Sequence, residues 1–253
     1  MSPLFLDISS AGQYLVNSCD ARLRIDFSPA SLLINTSDDE KYSYKIQSIK
    51  LWVKKITPNN NALLSMNRSL LTNNSNLEYV FQRPIIQTYV FPSNQDIISL
   101  DNIFSGLLPN KLHLCILPQS SANGAYKENG AYFTHGNISS LQLEVNGHTV
   151  SSFQCDFKND QIARLFHHNI IDLQSNDNLL TLKNFAKGRT IYSWNLTPAE
   201  TGDTLPVDRS GNLRLSLRTC KPNTENLILY VIGLTTALIE IDAGRRVKCS
   251  YLM

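Results

Sequence analysis

Apolar and polar residues alternate with a period near two along most of this chain. No other feature restricts the fold as much, because successive side chains of a β-strand point to opposite faces. ARLRIDF (21–27) sets Leu23, Ile25 and Phe27 against Arg22, Arg24 and Asp26. YSYKIQSIKLWVKKI (42–56) places Tyr44, Ile46, Ile49, Leu51, Val53 and Ile56 in one run with a single phase shift, which predicts a long strand with a bulge. IIQTYVFP (85–92), KLHLCILP (111–118), TIYSWNL (190–196), NLRLSLRT (212–219), NLILYVIGL (226–234), TALIEID (236–242) and RRVKCSYL (245–252) read as further strands. In SSLQLEVNGHTVSSFQ (139–154), the alternation runs into Asn146-Gly147, a pair suited to the positive φ of a type I′ turn, so a hairpin is expected.

Helical spacing is confined to two stretches. Behind Pro58, Ala62, Leu63, Met66 and Leu70 recur three and four apart, and so do Ile162, Leu165, Phe166 and Ile170 after Asn159 and Asp160. SNQDIISLDNIFSGLLPN (93–110) reads as a polar-studded connection, and residues 119–138, with NGAY at 123–126 and again at 129–132, as an exposed loop. About nine or ten strands without βαβ alternation predict an all-β fold, an antiparallel jelly-roll sandwich with one or two short helices in the connections. Residues 1–253 are expected to form a single jelly-roll domain, with 1–20 as a lead-in or linker.

Composition narrows the function classes. The 253 residues are 42% hydrophobic and 17% charged, enough to bury a core. Twenty-three Lys and Arg against 21 Asp and Glu leave a charge of +2, so nucleic-acid contact is expected to be weak or absent. The most apolar segment, Leu227 to Ile241, is broken by Gly233 and Thr235-Thr236, so no membrane insertion is expected. MSPLFLDISS lacks the basic start of a secretory signal. Five cysteines, at 19, 115, 155, 220 and 249, have no metal or disulfide spacing and are expected to be mostly reduced and buried. Cys249 is not fourth from the end, so the tail is no prenylation signal. Sequons start at Asn35, Asn67, Asn73, Asn137 and Asn195 and, without an export signal, reflect a high Asn content.

Chemistry-bearing residues do not assemble into a motif. His167 and His168 are adjacent, so on a helix they point about 100° apart, and no HExxH spacing surrounds them. His113, His135 and His148 are isolated, and GxSxG, GxGxxG and GxxxxGK[ST] are all lacking. Asp38-Asp39-Glu40 sits in a polar run and reads as a solvated turn. Arg245, Arg246 and Lys248 form a basic cluster whose simplest reading is a solvated strand edge. No catalytic, cofactor-binding or metal-binding residue is therefore expected, and no cofactor.

Several segments together resemble the major capsid protein of Polinton (Maverick) elements and adintovirus-like viruses. They are KIQSIKLWVKKITP with the helix after it, RPIIQTYVFP, IISLDNIFSGLLPNKLHLCIL, the NGAYKENGAYF loop, SLQLEVNGHTV and LILYVIGLTTALIEIDAGRRVKCSYL. The most specific are the stretch from Asn102 to Pro109 with its FxGxLP pattern, the L-x-V-N-G hairpin and the I-E-I-D before the last strand. The resemblance spans roughly residues 20–252. It implies a structural, non-enzymatic protein of a double-stranded DNA virus or transposable element, in which double jelly rolls form trimeric, pseudohexameric capsomers of an icosahedral shell. It covers only the carboxyl-terminal of the family's two jelly rolls, which implies half of a capsid subunit.

The expected partners are thus copies of the chain itself, together with a second jelly roll or a minor capsid protein. The expected location is the virion capsid, after synthesis in the host cytoplasm and assembly there or in the nucleus. The loop at 119–138 is the natural candidate for an outward or inter-subunit contact. Two alternatives stand beside this reading: a carbohydrate- or receptor-binding jelly roll using the Asn, Asp and Tyr of its loops, and an inactive endogenous fragment of a capsid gene. A cupin-like metalloenzyme would need converging His and carboxylates.

Overall fold

The structure, a computed structural model, describes residues 12–38, 41–72, 76–154, 161–173, 180–197 and 209–251. Ten strands are present among these: β1 (Leu77–Phe91), β2 (Ile97–Leu100), β3 (Ser105–Leu107), β4 (Lys111–Pro118), β5 (Ile138–Val145), β6 (His148–Gln154), β7 (Ile191–Asn195), β8 (Ser210–Thr219), β9 (Leu227–Ile241) and β10 (Val247–Tyr251). Five helices accompany them: α1 (Ala30–Leu33) and α2 (Asn60–Thr72) ahead of β1, α3 (Gln119–Asn123) between β4 and β5, and α4 (Gln161–Leu173) and α5 (Leu182–Ala186) between β6 and β7. Helices α2 and α4 fall where the spacing placed them.

The strands form two sheets. One runs β1-β9-β4-β7 with β10 also on β9, and the other runs β2-β8-β5-β6 with β3 also on β8. The chain crosses between the sheets after β1, β3, β4, β6, β7 and β8, and the orders β1-β9-β4-β7 and β2-β8-β5-β6 are the double Greek-key order of a jelly roll. The all-β jelly-roll fold expected from the alternation is the fold found, and every pairing with a described register is antiparallel.

Alternation decides which residues enter the core. On β8, Leu213, Leu215 and Leu217 turn inward, while Arg214 stands on the outer face beside Asp101 and Glu144. In register, Leu215 faces Leu143 of β5 on one side and Leu100 of β2 on the other. The facing sheet supplies Leu112, Leu114 and Ile116 from β4, Tyr192 and Trp194 from β7, and Leu229 and Val231 from β9. Phe153 of β6 reaches Trp194 of β7 at 6.2 Å between ring centroids, and Phe166 of α4 meets Phe185 of α5 at 5.5 Å. The β5–β6 hairpin turns through Asn146 (φ 52°) and Gly147 (φ 78°), the left-handed pair that a type I′ turn requires. Asn146 Oδ1 then accepts the Asn212 N–H at 2.8 Å, tying the turn to β8.

The chain packs into two compact units. The larger takes, of the described residues, 28–38, 41–42, 84–154, 161–173, 180–197 and 209–235, and holds the sandwich core. The smaller takes, of the described residues, 12–27, 43–72, 76–83 and 236–251. Its core is small, with Val16, Tyr79 and Ile241 buried and Cys19, Met66, Leu77 and Ile239 packed against them. Tyr79 clasps the lead-in strand of chain: its hydroxyl accepts the Val16 N–H and donates to the Tyr14 carbonyl, both at 3.1 Å. Both long strands, β1 and β9, contribute residues to each unit.

Four expectations are corrected. Residues 21–27 and 42–56 alternate like strands but join neither sheet, and their apolar side chains are exposed. A period of two specifies faces without specifying a partner, and among the described residues neither run lies in a paired strand. Second, β2 and β3 lie inside the stretch read as a connection. Third, NLILYVIGL and TALIEID are one continuous strand, β9, in which Gly233 does not interrupt the ladder. Fourth, the 119–138 stretch is not a simple exposed loop: it contains α3 and is bonded to the sheet and to its own turns.

Candidate functional site

The polar groups singled out from the sequence come to lie in separate places. His113 meets a residue that its sequence surroundings did not mark, Ser193, because β4 and β7 set the two directly opposite. His113 Nδ1 lies 2.9 Å from Ser193 Oγ on the outer face of the first sheet. A Ser–His contact is a catalytic arrangement only if the imidazole takes a proton near neutral pH. Burial, with Lys111 nearby adding repulsion, pushes His113 down to about 4, so the ring stays neutral near pH 7 and is a weak base toward Ser193.

That shift has a consequence for stability. An unfolded histidine takes its proton near 6.5, whereas folded His113 resists it until about 4. Between these values the unfolded chain binds more protons, so folding stability falls as the pH drops through that window and levels off below it. Burial lowers His135 in the same direction. Thermal melts from pH 7 to pH 4 are expected to show the decline, and His113→Gln to flatten it by on the order of 2 kcal/mol. An unchanged slope in H113Q would contradict the assignment.

The remaining candidates separate. His167 is exposed on α4, and the side chain of His168 lies outside the described residues, as do Asp39, Glu40 and Cys155. Asp38 accepts from Ser37 Oγ and the Tyr42 hydroxyl, as a turn aspartate does. Among the described residues, no group of three His, Cys, Asp or Glu is placed to hold a metal. Of the four described cysteines, all free, only Cys115 is buried, and burial raises its thiol to about 11; Cys220 and Cys249 are exposed. This corrects the expectation of mostly buried thiols: on an edge or a turn, a cysteine gains no cover from the core.

The basic cluster also resolves. Arg245, at φ 62°, turns its Nη2 to Asn67 Oδ1 at 2.9 Å and Asn17 Oδ1 at 3.2 Å, joining the β9–β10 turn to α2 and to the lead-in. Lys248 faces Glu240 at 3.7 Å. Two of the three charges therefore serve internal contacts. Asn17 and Asn67 lie too far away in sequence for any local pattern to have marked them.

The 119–138 segment is held at both ends and in the middle. Gln119 N–H bonds the Asn226 carbonyl and Thr134 N–H the Ile116 carbonyl, each at 2.9 Å. Tyr192 donates to the His135 carbonyl at 2.9 Å. Ser121 donates to Glu128 at 2.5 Å and holds that carboxyl below its ordinary range. A loop fixed in this way presents a defined surface, with Lys127, Asn129 and Tyr132 among its exposed residues.

The Asn102–Pro109 stretch has a mechanical role. Asn102 adopts φ 54°, and Ile103 N–H and the Phe104 carbonyl pair with both backbone groups of Leu213 on β8. Phe104, 6% exposed, and Pro109 lie against Gly233 of β9. A Cβ at 233 would stand 2.7 Å from Phe104 Cζ and 3.0 Å from Pro109 Cβ. The FxGxLP pattern therefore fastens the connection between β2 and β4 to a bare stretch of β9.

Among the described residues, no helix is long and apolar enough to cross a membrane. No family model matches the chain, and no curated protein matches it closely enough to count. Solved structures do. The chain is similar to the PBCV-1 virus capsid in a quasi-atomic model, at 13% identity and a TM-score of 0.41 over 70% of this chain and 52% of that one. It is similar to the mavirus major capsid protein at 9% identity and a TM-score of 0.40, over 70% of this chain and 42% of that one. A third likeness is to the Sputnik virophage structure determined by cryo-EM, at 15% identity and a TM-score of 0.41, over 70% of this chain and 39% of that one. The chain thus spans about half of these proteins' length or less.

Proposed function

We propose that this protein is a structural, non-catalytic capsid jelly roll of the Polinton/adintovirus type that associates with copies of itself. One observation carries the reading. Four of the segments that resemble that family, in the family's order, supply strands to the two sheets: RPIIQTYVFP to β1, IISLDNIFSGLLPNKLHLCIL to β2, β3 and β4, SLQLEVNGHTV to β5 and the start of β6, and LILYVIGLTTALIEIDAGRRVKCSYL to β9 and β10. The most specific of them, FxGxLP, is the piece that locks onto β9. In this reading residues 1–253 act as one jelly-roll domain with 1–20 as lead-in, and the product works in a virion shell. Its partners are further copies, in trimers, and a second jelly roll that completes a pseudohexameric capsomer. Light scattering on the purified chain at about 20 µM, where weak interfaces register, is expected to give the mass of a trimer or a larger species. A strict monomer at that concentration would refute self-association.

A further inference from the structure

Charge is distributed unevenly along the chain. Residues 41–77 hold Lys41, Lys45, Lys50, Lys54, Lys55 and Arg68 and no acid, so the rest of the chain has a net charge of −4. Apolar exposure is uneven as well. Of the 24 large apolar side chains exposed among the described residues, 16 belong to the smaller unit. Residues 43–56 concentrate both properties, with Trp52 74% and Val53 75% exposed, and Ile49, Leu51 and Ile56 about half exposed or more. Exposed apolar clusters of this kind mark interaction sites on soluble proteins. The run also keeps the alternation of a strand while belonging to neither sheet.

We infer that residues 43–56 are the surface by which one copy of this chain docks on another, with Trp52 and Val53 as its apolar anchor. The inference rests on the self-association proposed above and names where it occurs. A second copy is the occupant that fits the charge: the acid-free basic stretch of one molecule complements the net negative remainder of the next. Such a contact joins two different surfaces, and repeated by rotation it closes a ring. Tryptophan at the centre of an interface has the size and rigidity to dominate its energy. Lysines on either side favour the correct approach and make the contact sensitive to salt.

The test is sedimentation velocity on the full chain carrying Trp52→Glu and Val53→Glu together, beside the wild type and a Val150→Glu control on β6. The double variant is expected to associate at least about tenfold more weakly, with unchanged circular dichroism, while V150E associates as the wild type does. Wild-type association is expected to weaken as salt rises from about 0.1 M to about 1 M, where the screening length shrinks to about 3 Å. If the double variant does not fold, Lys50→Glu with Lys54→Glu gives the same readout. Undiminished association of a folded variant would overturn this surface and leave self-association standing. A monomeric wild type would overturn both, and binding of that monomer to phosphatidylserine vesicles or to single-stranded DNA would show which other occupant the patch serves.

Discussion

Leu215→Ala is expected to lower the stability of the fold by about 3–5 kcal/mol, the range for a fully enclosed leucine whose neighbours do not collapse into the space. Leu215 has no exposed surface and lies in the middle of the second sheet's central strand. Leu100 and Leu143 flank it in register, and both are themselves buried. Strands on both sides hold the backbone in place, so the cavity left by the missing carbons stays open. A domain of ordinary stability has about 5–15 kcal/mol in total, so this one change removes a large fraction. Urea unfolding followed by circular dichroism measures it, with Val150→Ala at a half-exposed position as the near-neutral comparison, within about 0.5 kcal/mol. A loss below about 1 kcal/mol at Leu215 would mean that the odd-numbered face of β8 is not the inner one.

Gly233→Val is the second large effect. The added Cβ meets Phe104 Cζ at 2.7 Å and Pro109 Cβ at 3.0 Å before either methyl is placed. Phe104 has little freedom to retreat, because its carbonyl and the preceding N–H are both bonded to Leu213. Overpacking a fixed core site costs about 1–3 kcal/mol for an extra methylene or two, and valine adds three carbons, so a cost of about 3 kcal/mol or more is expected. Shrinking the neighbour should restore part of it. In Gly233→Val with Phe104→Leu, the two changes together are expected to cost less than the sum of each alone, because the sites touch. Additive losses in that cycle would show that Phe104 does not rest on Gly233.

Much of this fold is written in local patterns, and the exceptions share one cause. KLHLCILP and the hairpin around Asn146-Gly147 fold where alternation and turn chemistry put them. Leu63, Met66 and Leu70 sit on a helix as their spacing requires. Residues 21–27 and 42–56 fail because alternation describes a strand's two faces and says nothing about who pairs with its edges. Strands β2 and β3, four and three residues long, are too short to show a period, and only the free edge of β8 makes them strands. Gly233 reads as a break in the sequence, yet its missing side chain is what lets Phe104 and Pro109 approach. Arg245 was visible only as charge, since its partners lie 228 and 178 residues away.

His113 follows the same rule: it is isolated in sequence, and only the pairing of β4 with β7 brings it to Ser193. Burial then lowers the basicity of His113. The feature to which the proposed docking is assigned is of the opposite kind, a segment whose apolar residues are exposed.

Negative-stain electron microscopy of the purified protein, at a concentration where scattering reports association, tests the capsid reading most directly. Class averages are expected to show compact particles with threefold symmetry, formed by three copies of one chain. A field of single-copy particles with no rotational symmetry, unchanged as the concentration is raised, would contradict it.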